Sequence, residues 1–87
     1  MTITDVRIRR IFPDGNLRAI VSITLDETFA VHDLKVVDNG KRLFVAMPSR
    51  QYDGGQYHDV VHPITPEFRK ELEERVIAAY QAVSSKK

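Results

Sequence analysis

The chain has 87 residues, which makes one domain and leaves no room for a second core. Hydrophobic residues supply 43% and charged residues 29%, which excludes a disordered chain, and the lack of any cysteine excludes disulfides and thiolate metal sites. The formal net charge is only +1, so any nucleic-acid binding must come from a local basic patch, because phosphate neutralisation supplies most of such affinity.

The first element pair is centred on Pro13-Asp14-Gly15-Asn16. Asp-Gly between alternating runs predicts a hairpin, since a type I′ turn needs positive φ at both central residues. With Asp14 and Gly15 as the loop, Phe12 faces Leu17, Arg10 faces Ala19, Ile8 faces Val21 and Val6 faces Ile23. One face is then apolar apart from Arg10, and the other carries Arg7, Arg9 and Arg18. A slip of one residue would turn the apolar set into water, which fixes the register.

A turn at Asp26-Glu27 leads to a third strand from Thr28 to Val37. Its apolar positions run Phe29 and Val31, then Leu34 and Val36, so the parity changes at His32-Asp33. A β-bulge there accounts for the change, as would a strand buried on both faces. Asp38-Asn39-Gly40 is a further turn, and Arg42 to Met47 reads as a central or interface strand, apolar on both faces.

Residues 48–56 read as a polar loop, followed by a short fifth strand from Tyr57 to Val61. Thr65 and Pro66 are a helix cap and first-turn proline, and Glu67 suits the positive end of the helix dipole. Phe68, Leu72, Val76, Ala79 and Val83 form one apolar stripe, and Glu71 with Arg75 makes a favourable i, i+4 pair. The last residues, 84–87, are expected to fray. The order predicts a single α+β domain over 1–87: one antiparallel sheet of about five strands within 2–61, then a C-terminal helix over 66–83.

No apolar run approaches the roughly 20 residues that cross a bilayer, and MTITDVRIRR lacks the apolar core of a signal peptide. The expected location is the cytoplasm, with no membrane partner. A domain this small, without disulfides, gains most from oligomerisation.

Little in the sequence is set out for catalysis. His58 and His62 are four apart, good metal-ligand spacing on a helix, but Val60-Val61 and Pro63 argue for a strand, where that spacing does not converge. His32-Asp33 would suit a base and its orienting carboxylate, yet neighbours on a strand point to opposite faces. No serine lies in a nucleophile elbow, and Gly54-Gly55 lacks the Gly-Lys-Ser/Thr of a phosphate loop. Neither an enzyme nor a cofactor, metal or small-molecule substrate is therefore expected. The basic residues are more informative: Lys41 and Arg42 stand at one strand start, and Arg50 stands with Tyr52 in the polar loop, where arginine can fork onto phosphate and tyrosine can stack on a base.

The runs Thr4 to Arg10, Asp14-Gly15, Ala19-Ile20, Ser22 to Asp26, Val31-His32-Asp33, Leu43 to Ser49, Asp53-Gly54, Asp59 and His62-Pro63-Ile64 together resemble the stage V sporulation protein G (SpoVG) family of septation regulators, over about residues 1–80. The resemblance implies a cytoplasmic homodimer that binds DNA and RNA, regulates gene expression, and is linked to septation, cell division and, in spore formers, sporulation. It also implies that basic residues just after Met47-Pro48-Ser49 bind nucleic acid. That position reads Arg50-Gln51 where relatives typically carry two adjacent basic residues, so Arg50 carries over and Gln51 does not. The expected nucleic-acid site is Arg50, supported by Lys41, Arg42 and Tyr52, with Arg69 and Lys70 of the helix as a further place for specificity. The alternative is a protein-interaction module in cell division without direct nucleic-acid binding.

Overall fold

The computed structural model describes residues 1–52 and 54–84. Strands β1 (Ile3–Ile11), β2 (Leu17–Leu25), β3 (Phe29–Asp38) and β4 (Leu43–Ala46) form an antiparallel sheet in the order β1-β2-β3-β4. Strands β5 (Ser49–Gln51) and β6 (Tyr57–Asp59) form a separate two-stranded ribbon, and helix α1 (Pro66–Ser84) closes the chain. The architecture is the expected α+β one, an antiparallel sheet followed by a C-terminal helix. Residues 85–87 of the expected fraying tail lie outside the described residues, as does Asp53 of the polar loop.

The sheet buries one face against α1. Alternation along β2 sends Ala19, Val21, Ile23 and Leu25 into the core, where they meet Leu34, Val36, Val45 and, from the helix, Leu72, Val76 and Tyr80. The opposite face stays open and carries Ile20, Lys35, Val37, Phe44 and Ala46, all half-buried.

Bulges set the register. Between β2 and β3, Val21 pairs with Leu34 but Ile23 pairs with Val31, so β3 holds one extra residue at His32-Asp33, as its parity change implied. Asp33 adopts φ of +66°, and His32 Nδ1 lies 2.8 Å from Oγ of buried Ser22 rather than against its neighbour Asp33. The first hairpin differs from expectation. Ile8 faces Val21 and Val6 faces Ile23 as expected, but Arg9 is an extra residue, so Arg10 faces Ile20 and Ile11 faces Ala19. The bulge takes the one misfit charge off the core side and puts Ile11 in its place. The connection is also longer than two residues: Phe12 N–H donates to the Arg18 carbonyl (2.9 Å), and of Asp14 and Gly15 only Gly15 has positive φ. The type I′ requirement is met instead at the next turn, where Asp26 and Glu27 hold φ of 52° and 55°.

Three further expectations are corrected. Of the two readings of the 42–47 strand, central or interface, the central one is excluded, because β4 is an edge of the sheet. Residues 49–51 are not loop but strand, pairing with a fifth strand that is shorter than expected and lies outside the main sheet. On α1, Thr65 caps as anticipated, its hydroxyl accepting the Phe68 N–H at 3.3 Å, but Tyr80 takes the last core position while Val83 is 43% exposed. Arg75 donates to the Ile3 carbonyl (3.1 Å) instead of pairing with Glu71.

Candidate nucleic-acid interface

The ribbon is built by the tip sequence. Tyr52 N–H donates to the Gln56 carbonyl (2.9 Å) and Gly55 N–H to the Tyr52 carbonyl (3.0 Å). Gly54 and Gly55 hold φ of +88° and +81°, which glycine adopts without a Cβ clash. At the base, Val60 N–H donates to the Pro48 carbonyl at 2.8 Å. Arg50 pairs with His58 and Gln51 with Tyr57. Since side chains alternate along a strand, Arg50, Tyr52 and His58 share one face of the ribbon, while Gln51 and Tyr57 share the other. The Tyr52 and His58 rings lie 5.4 Å apart, tilted by 59°. All six ribbon residues are exposed. A guanidinium beside two exposed rings suits a phosphate with a stacked base.

His58 was missed as a member of this face, because the sequence shows it only as a partner for His62. The Gly54-Gly55 tip was the signal: it folds 57–59 back onto 49–51. His62 goes elsewhere, its Nδ1 donating to the Pro63 carbonyl at 3.0 Å. Gln51 stands on the face opposite Arg50, so the departure from the family pattern at that position leaves the Arg50 face intact.

Lys41 and Arg42 belong to the turn between β3 and β4. Asp38 Oδ1 accepts the Gly40 N–H (2.8 Å), and Asn39 Oδ1 accepts those of Lys41 (2.9 Å) and Arg42 (3.0 Å). Lys41 is exposed and makes no ion pair among the described residues, whereas Arg42 lies 3.8 Å from Glu73 of α1. Lys70 lines the same shallow groove as Arg42, Glu73 and Glu74, so its charge is also partly offset. Arg69 is exposed on the first turns of α1, its N–H bonded to the Thr65 carbonyl at 3.1 Å.

These groups do not converge. Lys41 and Arg42 precede β4 and Arg50 follows it, and Arg42 to Met47 alone spans about 16 Å of extended chain. The hairpin arginines are largely spoken for within the fold. Arg7 pairs with Asp5 (2.9 Å), Arg10 lies over the Phe12 ring (5.1 Å), and Arg18 reaches the Pro13 carbonyl (3.3 Å) and Asp38 (4.0 Å). Arg50 with Tyr52 and His58 is therefore the basic and aromatic cluster most free to meet a ligand.

The SpoVG family model matches residues 1–82. The chain belongs to the SpoVG family. It is 51% identical over 81 residues to a SpoVG of Lachnospira eligens, covering 93% of this chain and 92% of the relative. A SpoVG of Heliobacterium modesticaldum is 52% identical over 81 residues, with 93% and 91% covered. The second SpoVG of Listeria monocytogenes is 51% identical over 83 residues, with 95% and 81% covered. All three are provisionally named septation proteins. No helix among the described residues is long and apolar enough to cross a membrane.

Proposed function

We propose that this SpoVG-family chain is a cytoplasmic, homodimeric regulator that binds DNA or RNA through Arg50 and acts without catalysis or cofactor on gene expression tied to septation. The observation that carries the reading is the exposed ribbon face of Arg50, Tyr52 and His58, which combines a fork donor that makes no ion pair among the described residues with two stacking surfaces. The names of the relatives supply the link to septation. Sporulation enters only where an organism forms spores.

Fluorescence anisotropy of labelled duplex DNA and single-stranded RNA, across a salt series, tests it. Binding falls linearly in log–log form with salt, with a slope of about −0.9 per phosphate contacted on duplex DNA. Arg50→Ala weakens binding roughly tenfold, the scale of one lost charge-assisted contact, while the protein stays folded. An Arg50→Ala protein that binds as well as wild type removes Arg50 from the site.

A second reading, a protein-interaction module in cell division, is favoured by the net charge of +1 and by the pairing of Arg7 and Arg42 with carboxylates. A partner captured by tagged protein after nuclease treatment supports that reading, and capture lost with nuclease counts against it.

A further inference from the structure

The core is left open where α1 begins. A cavity of about 440 Å³ lies between the β2–β3 hairpin, the segment 61–65 and the first turns of α1. Its floor is core: Ile23, Leu25, Val31, Met47 and Leu72 are all buried. Its rim is also apolar, yet Phe29 there is 60% exposed and Ile64 88%. Large apolar side chains thus stand in water around a concave apolar space, and that space falls within the roughly 300–1,000 Å³ of small-molecule sites.

The lining states what fits. The grooves along β1, along α1 and at the ribbon are each lined by charged side chains. No lysine, arginine, aspartate or glutamate side chain lines this cavity. A charged occupant would give up water there and gain no partner for its charge. Two polar side chains reach the wall, Thr65 and His62. The Thr65 hydroxyl already accepts the Phe68 N–H as the helix cap. His62 Nδ1 lies 3.0 Å from the Pro63 carbonyl. A carbonyl only accepts, so Nδ1 carries a hydrogen, and in the neutral ring Nε2 is left as an acceptor.

The geometry points to this cavity as a binding site for a small, uncharged, largely apolar molecule with one hydrogen-bond donor, a phenol-like ring compound. The ring system takes the space over Ile23, Leu25 and Val31, and its O–H donates to His62 Nε2. Met47 stands just before β5 and Val61 just after β6, so an occupant touches both roots of the ribbon. The cavity shares no residue with the Arg50 face, and the inference stands whether or not that face meets nucleic acid.

Three probes test it by fluorescence titration of the whole protein: 1-naphthol, 1-methoxynaphthalene, which lacks the donor, and 1-naphthoate, which is charged. 1-Naphthol binds saturably, one per chain, with a Kd below about 1 mM. 1-Methoxynaphthalene binds roughly fivefold more weakly, the scale of one neutral hydrogen bond, and 1-naphthoate at least about tenfold more weakly. His62→Phe removes the difference between the first two. Phe29→Asp and Ile64→Asp replace exposed side chains, keep the circular dichroism spectrum of the fold, and each weaken 1-naphthol binding about tenfold or more. Val83→Asp, at an exposed apolar side chain in another groove, leaves binding unchanged.

Absence of saturable 1-naphthol binding overturns the site. So does equal binding of 1-naphthoate, or a folded Ile64→Asp that binds as wild type does, since either means general adhesion to apolar surface. Binding that falls as protein concentration rises also overturns it, because a second copy of the chain then fills the cavity.

Discussion

Asp33 holds φ of +66°, a left-handed conformation that costs a non-glycine residue about 1–2 kcal/mol. The surrounding sheet enforces it. The extra residue lets both Val31 and Leu34 enter the core, and it brings His32 within 2.8 Å of the buried Ser22 hydroxyl. Asp33→Gly removes the steric cost and is neutral or stabilising by up to about 1 kcal/mol, whereas a β-branched valine at the same φ costs about 1–2 kcal/mol. Urea titration of the two variants should give that order, and the reverse order would mean that the Asp33 side chain, not its backbone, secures the bulge. This bulge was legible because it shifts the spacing of large apolar residues in β3. The Arg9 bulge was nearly silent, marked only by Arg10 on an otherwise apolar face, while Asp14-Gly15 advertised a two-residue turn that the chain does not make. The Ser22–His32 bond was not legible at all, since nothing local in the sequence joins residues on adjacent strands.

The elements differ in how strongly local sequence determines them. Helix α1 was readable nearly to the residue because Thr65 and Pro66 mark its start and 3.6-residue spacing marks its buried side. Its end was misjudged: Val83 continues the stripe in sequence, but Tyr80 is 8% exposed and Val83 43%. Tyr80→Ala should therefore cost about 3 kcal/mol, and Val83→Ala under about 0.5 kcal/mol. Chemical denaturation distinguishes them, and equal costs would show that the last turn packs as the stripe alone suggests. Strand β5 was missed for the opposite reason. Ser49-Arg50-Gln51 has no apolar alternation, because neither face of the ribbon is buried. Its existence depends on a partner strand and a two-glycine tip, which is pairing information and not propensity. The candidate site was legible in Arg50 and Tyr52, whose residue types carry the chemistry, and not in His58, which only the pairing brings beside them.

At the scale of the molecule, 87 residues without a disulfide enclose a small core, with thirteen hydrophobic residues buried in it among the described residues. Such a domain has little stability to spare alone, and in the proposed homodimer folding and assembly become one equilibrium. Stability of that kind depends on concentration. For two chains unfolding together, each tenfold rise in protein concentration adds about 1.4 kcal/mol of stability per dimer. At about 2.1 cal/mol/K per residue, the unfolding entropy of two such chains converts this into a rise in Tm of about 3–4 °C. Scanning calorimetry at concentrations a hundredfold apart should thus shift the wild-type transition by about 7 °C. A wild-type Tm independent of concentration would mean that the monomer unfolds alone. That result would count against the homodimer and leave the small core to carry the stability by itself.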